Sequence, residues 1–166
     1  MTEEEFDDFY STSFGRLTSQ IYAMIGDRDE AQECVQEAFA KAWSHRNRLD
    51  RAEHPDAWVR TTAYRLAVSR WRRTRLASRA RDRSVAVPVT AAPPDETHVA
   101  LVEALRHLPE AQRRALVLHH MCDLPVLEVA RETGAPTGTV KARLSRGRAA
   151  LLALLDPDRT EGVTDA

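Results

Sequence analysis

Two stretches of this chain carry residues of the kind that handle a polyanion. Residues 137–150, TGTVKARLSRGRAA, hold Lys141, Arg143, Arg146 and Arg148 and no acid. Residues 58–75, WVRTTAYRLAVSRWRRTR, mix arginines with Trp58, Tyr64 and Trp71. Lysine and arginine reach phosphates and guanine edges. Thr139 and Ser145 reach phosphates or bases, and the small Ala142 lets a helix sit close in a groove. Arginines interleaved with aromatics suit a single strand, with cations on the backbone and rings stacked on unpaired bases. Nothing comparable exists for covalent chemistry. Ser, His and Asp occur, but no nucleophile motif surrounds them. His119 and Cys122, three apart in HHMC, form a feasible metal-ligand pair. No second pair lies nearby in sequence, so no metal or other cofactor is expected.

The net charge of −1 conceals a segregation of charge. Residues 1–55 hold 12 acidic and 6 basic residues, whereas 56–83 hold 9 arginines against Asp56 and Asp82. Two basic faces on a near-neutral chain indicate two contacts with a polyanion. The 166 residues suit one ordinary domain or two small ones. Apolar residues at 43% and charged residues at 30% give an ordinary soluble balance. Few glycines, few aromatics and an abundance of Ala, Leu, Arg and Glu favour helices over sheet. Cys34 and Cys122 are far apart and form no CxxC, which fits a reducing compartment. The acidic start, MTEEEFDDFY, is unlike a signal peptide. No apolar run approaches the roughly 18 residues of a membrane span. A cytoplasmic protein without membrane insertion is expected.

The elements that must position the basic residues follow from periodicity. Phe6, Phe9, Tyr10, Phe14, Leu17, Ile21 and Met24 recur at three and four and predict an amphipathic helix over 4–24, broken at Gly26 and Asp27. A second helix is expected from about Asp29 to His45, capped by Asp27 or Asp29. Residues 46–55 lack a helical period and read as a loop. A third helix is expected from Asp56, as N-cap, to about Arg75. Trp58, Val59, Thr62, Ala63, Leu66 and Ala67 would form its buried face, with Arg60, Tyr64, Arg65, Arg72 and Arg73 on the others. SVAVPVTAAPPDET, 84–97, has three prolines and reads as a linker. The second unit opens near Asp95 with the stripe Val99, Leu101, Val102, Leu105 and Leu108. A helix begins at Pro109. The chain then reads as a helix-turn-helix. A support helix over Val126–Thr133 buries Val126, Leu127, Val129 and Ala130. Gly134 turns the chain and Pro136 blocks continuation. Thr137 caps a second helix whose Val140, Leu144 and Leu151 face inward. The fold expected is all-α: two small helical domains, 1–77 and 96–156, with a flexible linker over 78–95 and a disordered tail over 157–166.

Three segments in this order resemble the extracytoplasmic-function (ECF, group 4) class of bacterial RNA polymerase sigma factors, and within it the SigE-like, actinobacterial type. DEAQECVQEAFAKAW resembles the segment that docks on the β′ clamp of the polymerase. AWVRTTAYRLAVSRWRR resembles the segment that melts and reads the −10 element. LPEAQRRALVLHHMCDLPVLEVARETGAPTGTVKARLSRGRAALLALL resembles the domain that reads the −35 element. The resemblance covers roughly 4–77 and 98–155. It implies that Gln36, Glu37, Phe39 and Trp43 lie on or support the docking helix, and that the loop 46–54 captures a flipped base. It implies that Arg60, Thr61, Tyr64, Arg65, Arg72 and Arg73 face the −10 DNA. Thr137, Thr139, Lys141, Arg143, Ser145 and Arg146 would serve the −35 groove. The implied partners are core RNA polymerase (β′ clamp and β flap), promoter DNA and an anti-sigma factor. The chain itself would catalyse nothing. Arg65 and Ser69 depart from the class, which often has Asn and Asp there. The rival reading is a helix-turn-helix regulator that acts without polymerase docking, and a metal protein is a further one.

Overall fold

The computed structural model describes residues 1–51, 54–77, 96–156 and 158, which form helices and no strand. The chain divides into two compact units, Met1–Ala92 and Pro93–Ala166. The expected linker over 78–95 lies outside the described residues, as does the expected tail apart from Asp158.

In the first unit, α1 spans Glu3–Ile25. Thr2 and Glu5 close a reciprocal cap at its start, with 2.7 Å from the Thr2 amide to Glu5 Oε2 and 3.2 Å from the Glu5 amide to Thr2 Oγ1. Gly26 ends it at φ 78°, a left-handed conformation that glycine adopts without Cβ strain. Helix α2, Arg28–Ser44, is capped by Asp27, whose Oδ1 accepts from the Glu30 amide at 3.0 Å. The loop expected at 46–55 is in part a helical turn, α3, Arg46–Leu49. His45 O accepts from the Arg48 amide at 2.8 Å, and the buried Leu49 anchors the turn. One apolar residue inside a short polar stretch leaves no periodicity to read, and tertiary burial decides its conformation.

Helix α4, Pro55–Ala77, begins one residue before the expected cap. Proline suits that position because its missing N–H has no intrahelical partner to lose. Asp56 is therefore inside the first turn. Its Oδ2 accepts from Arg16 Nη2 at 3.0 Å and ties α4 to α1. Helix α2 packs on both α1 and α4. Leu17, Ile21, Ala31, Cys34, Val35, Ala38, Val59 and Ala63 fill the space between them with no exposure.

In the second unit, α5 is Glu96–Arg106 and α6 is Glu110–Leu116, entered through Pro109. Helix α6 runs into a wider π turn, Val117–Met121, in which the Cys122 amide donates to Val117 O at 3.1 Å. Ala115, Leu116, Val117 and Leu118 are all buried. Four successive buried residues show that this segment is surrounded by its neighbours rather than lying on their surface. Helix α7, Val126–Thr133, ends at Gly134 with φ 68°, the turn expected of a helix-turn-helix. Helix α8, Thr137–Leu155, then packs its Val140 and Leu144 inward.

Three expectations in this unit need correcting. Thr137 is the first helical residue, not the cap, and makes no side-chain capping bond; Pro136 holds the cap position. Leu127 is 54% exposed and Val126 half-buried, whereas Val129 and Ala130 are buried. A two-turn helix has one inward side, and Leu127 lies about 100° off Val126 on it. Val99 is also exposed, while Val102 and Leu105 are buried.

Candidate functional site

The N-terminal candidates fall on α2 and α4. On α2, Gln36 is exposed, Glu37 half-buried and Trp43 36% exposed. Phe39 is not on that surface. It is 2% exposed, with ring centroids 5.4 Å from Phe9, 5.0 Å from Tyr10 and 6.2 Å from both Phe6 and Phe14. Phe39 holds α1 against α2 and leaves the exposed residues of α2 to make any contact. Trp43 packs on Phe6 at 5.0 Å, and the Arg46 guanidinium sits 4.4 Å from its ring centroid.

On α4, the six candidates separate. Arg65, Arg72 and Arg73 are exposed, and Thr61 is half-buried. Arg60 and Tyr64 are not presented to solvent, at 4% and 6% exposure. Arg60 Nη1 donates to the buried Gln20 Oε1 at 3.3 Å, so its charge is used inside the α1–α4 contact. These two sit four apart on the side of α4 that packs inward, a placement that charge and aromatic character hid in the sequence. The tryptophans also divide: Trp58 is half-buried beside His45 at 5.9 Å, while Trp71 is 58% exposed with Arg75 stacked 4.9 Å from its centroid.

Arg70 was not singled out by sequence. Its Nη1 lies 3.1 Å from Glu33 Oε2 and 3.6 Å from Glu30 Oε1, and its Nη2 bonds to Glu37 Oε2. Burial works against the Arg70 charge, but the Glu37 hydrogen bond and the surrounding acids hold its pKa above the ordinary value. Next to this cluster, burial pushes the Cys34 thiol up to about 12, and the nearby Glu30 adds to the shift. Cys34 is therefore a neutral core residue rather than a thiolate.

In the second unit, Thr137, Thr139, Lys141, Ser145 and Arg146 are exposed on α8, and Arg143 is half-buried at the edge of that face. Val140, Leu144 and Gly147 occupy the opposite, buried side. The basic residues are thus carried on a helix whose inner side is fixed by the core. His119 Nδ1 lies 2.8 Å from Leu124 O, inside the unit's own hydrogen bonding. Among the described residues no group of three or more His, Cys, Asp and Glu side chains converges as a metal site. An apolar groove of about 300 Å³, missed by sequence, runs between α5, the π turn and α8. Leu101, Leu105, Leu151, Leu152 and Leu155 line it, with His120 and Arg148 as its polar residues. Burial, with His119 and Arg148 nearby, lowers the pKa of His120.

A family model described as Sigma-70 region 2 matches residues 9–77, and one described as Sigma-70, region 4 matches residues 98–151. The chain is 30% identical over 148 residues to the ECF RNA polymerase sigma factor EcfG of Rhodopseudomonas palustris, covering 87% of this chain and 82% of that protein. The chain belongs to the ECF RNA polymerase sigma factors. It is also 26% identical over 165 residues to SigW of Bacillus subtilis, covering 90% of this sigma factor and 88% of SigW. The sigma factor RpoE of Bartonella quintana, solved in complex with the anti-sigma factor NepR, shares the fold. Its TM-score is 0.75 at 24% identity over 92% of this chain and 97% of that one. The all-α fold and the ECF sigma factor family read from the sequence both stand.

Proposed function

We propose that this sigma factor docks on core RNA polymerase through the exposed part of α2 and reads promoter DNA with α4 and α8. Residues 1–77 form the docking and −10 domain, 78–95 the linker, and 96–156 the −35 domain. The observation that carries this reading is the division of labour on the helices. Each of α4 and α8 commits one side to the core and presents arginines on another. Gln36, Glu37 and Trp43 serve the β′ clamp, with Phe39 as their support. Thr61, Arg65, Arg72 and Arg73 serve the −10 element. Thr137, Thr139, Lys141, Arg143, Ser145 and Arg146 serve the −35 groove. The apolar groove of the second unit fits the β flap. The protein is non-catalytic and cytoplasmic, of the group 4, SigE-like, actinobacterial type. An anti-sigma factor holds it inactive, in keeping with the NepR complex of its structural relative. No described helix is long and apolar enough to cross a membrane. A regulator without polymerase docking is disfavoured, because the region 2 match spans 9–77.

The test is a pull-down on bacterial core polymerase with wild type, a Gln36→Ala, Trp43→Ala double variant and an Arg143→Ala, Arg146→Ala double variant. The wild type and the arginine variant bind core, and the α2 variant does not. The arginine variant loses −35 binding, and its promoter affinity depends less steeply on salt, by roughly 0.9 in log–log slope per phosphate contact removed. Core binding lost with the arginines would refute the assignment of the domains.

A further inference from the structure

Of the arginines on α4, Arg70 is turned toward α2. The carboxylates it meets, Glu30, Glu33 and Glu37, stand at i, i+3 and i+7, which places them in one stripe on α2. We propose that Arg70 is a positioning residue. It fixes the rotation of the promoter-reading helix against the docking helix, and so sets where the −10 face stands once the polymerase has been bound. This rests on the reading of α2 as the docking helix and α4 as the −10 helix.

The geometry argues in three steps. First, at about 100° per residue, Thr61, Arg65 and Arg72 lie roughly 140–180° around α4 from Arg70, while Arg73 lies about 60° from it, at the rim of that face. Pinning Arg70 to α2 therefore aims the opposite side of α4 outward. Second, the guanidinium bridges three carboxylates through two nitrogens. Its planar fork makes the contact directional, as a single ammonium point charge does not. Third, without Arg70 the three acids of that stripe would face one another with no cation from α4 between them. Like charges at this spacing repel, so the stripe would lose the cation that holds its carboxylates together, and α4 would lose its directional tie to α2. Glu37 is itself a proposed docking residue, so the strut joins the docking surface to the reading helix through one side chain. The hydrogen bonds of Arg70 to Glu33 and Glu37 leave it poorly placed to serve as a phosphate contact.

The experiment uses full-length wild type, Arg70→Ala and Arg70→Lys, each assembled with bacterial core polymerase. The DNA probe is a duplex enriched from a random-sequence library on the wild-type holoenzyme. Core affinity, permanganate reactivity of unpaired thymines and the salt slope of promoter binding are measured. For Arg70→Ala, opening falls about tenfold or more while core affinity changes less than about threefold, the range of an ordinary coupling between two sites. Arg70→Lys is intermediate, and the salt slope is unchanged in both. A slope lower by about 0.9 would make Arg70 a phosphate contact and overturn the proposal. Opening equal to wild type at full core occupancy would overturn it too. If Arg70→Ala does not fold, Arg70→Lys decides: reduced opening at wild-type thermal stability supports the proposal, and opening that falls only in step with stability overturns it. A wild type that binds core but opens no DNA refutes the proposed function rather than this inference.

Discussion

Gly147 gives the sharpest test of how the second unit is packed. It lies in α8 on the side buried against α6. A Cβ placed there would stand 2.9 Å from Leu116 Cδ1, 3.2 Å from Leu116 Cγ and 3.4 Å from Gln112 Cβ. Leu116 is 4% exposed, so most of its surroundings are fixed. The methyl can turn toward the apolar groove, which keeps the overpacking cost near the middle of the usual range, about 2 kcal/mol. Replacing glycine by alanine inside a helix returns about 1 kcal/mol of backbone propensity. Gly147→Ala should therefore destabilise the second unit by about 1 kcal/mol. Gly15 is the control. It is also mid-helix, exposed, and a Cβ there meets nothing within 4 Å. Gly15→Ala should stabilise the first unit by about 0.5–1 kcal/mol. All three tryptophans, Trp43, Trp58 and Trp71, belong to the first unit, so fluorescence is blind to the second. Amide hydrogen exchange over 110–121 and 140–155 is the suitable assay, and protection there should fall about fivefold. Protection unchanged or raised in Gly147→Ala would show that α6 and α8 have slack between them, and the packing argument would fail.

Three further outcomes follow from the same structure. Phe39→Ala should cost about 3–5 kcal/mol, because the ring is buried among four other aromatics, and the denaturation midpoint read by tryptophan fluorescence should collapse. This makes it unfit as a docking probe. An alkylating reagent at pH 8 should label the half-buried Cys122 and spare Cys34 in the folded protein, with mass spectrometry as the check; labelling of Cys34 before unfolding would contradict its buried, neutral state. Burial, with His119 and Arg148 nearby, holds the folded pKa of His120 below the ordinary histidine value of 6.5, so its contribution is intact above that pH and is lost as pH falls through the lowered value. Exchange protection in the second unit should decline in acid, and His120→Phe should flatten that decline.

Much of the fold was legible because its signals are local. Asp27, Pro109, Gly134 and Pro136 punctuate the chain at residues whose backbone preferences need no partner. The stripes of α1 and α2 report their buried sides through a period of three and four. The exposed arginines of α8 were legible for the same reason, because Val140 and Leu144 fix which side faces in. The sequence could not decide which polar and aromatic residues the core would take. Arg60 and Tyr64 look like surface residues by type, yet they pack inward because α1 covers that side of α4 and Gln20 satisfies the guanidinium. Phe39 and Trp43, four apart and alike on a helical wheel, part company because Phe9, Tyr10 and Phe14 of α1 join Phe6 around Phe39, whereas Trp43 packs on Phe6 near the end of α2. Arg70 differs from Arg72 and Arg73 only in the azimuth at which α4 meets α2. Residue type and spacing thus determined the helices, the helix-turn-helix and the family. The packing of one helix on another decided which charges reach outward, because exposure depends on neighbours distant in the chain.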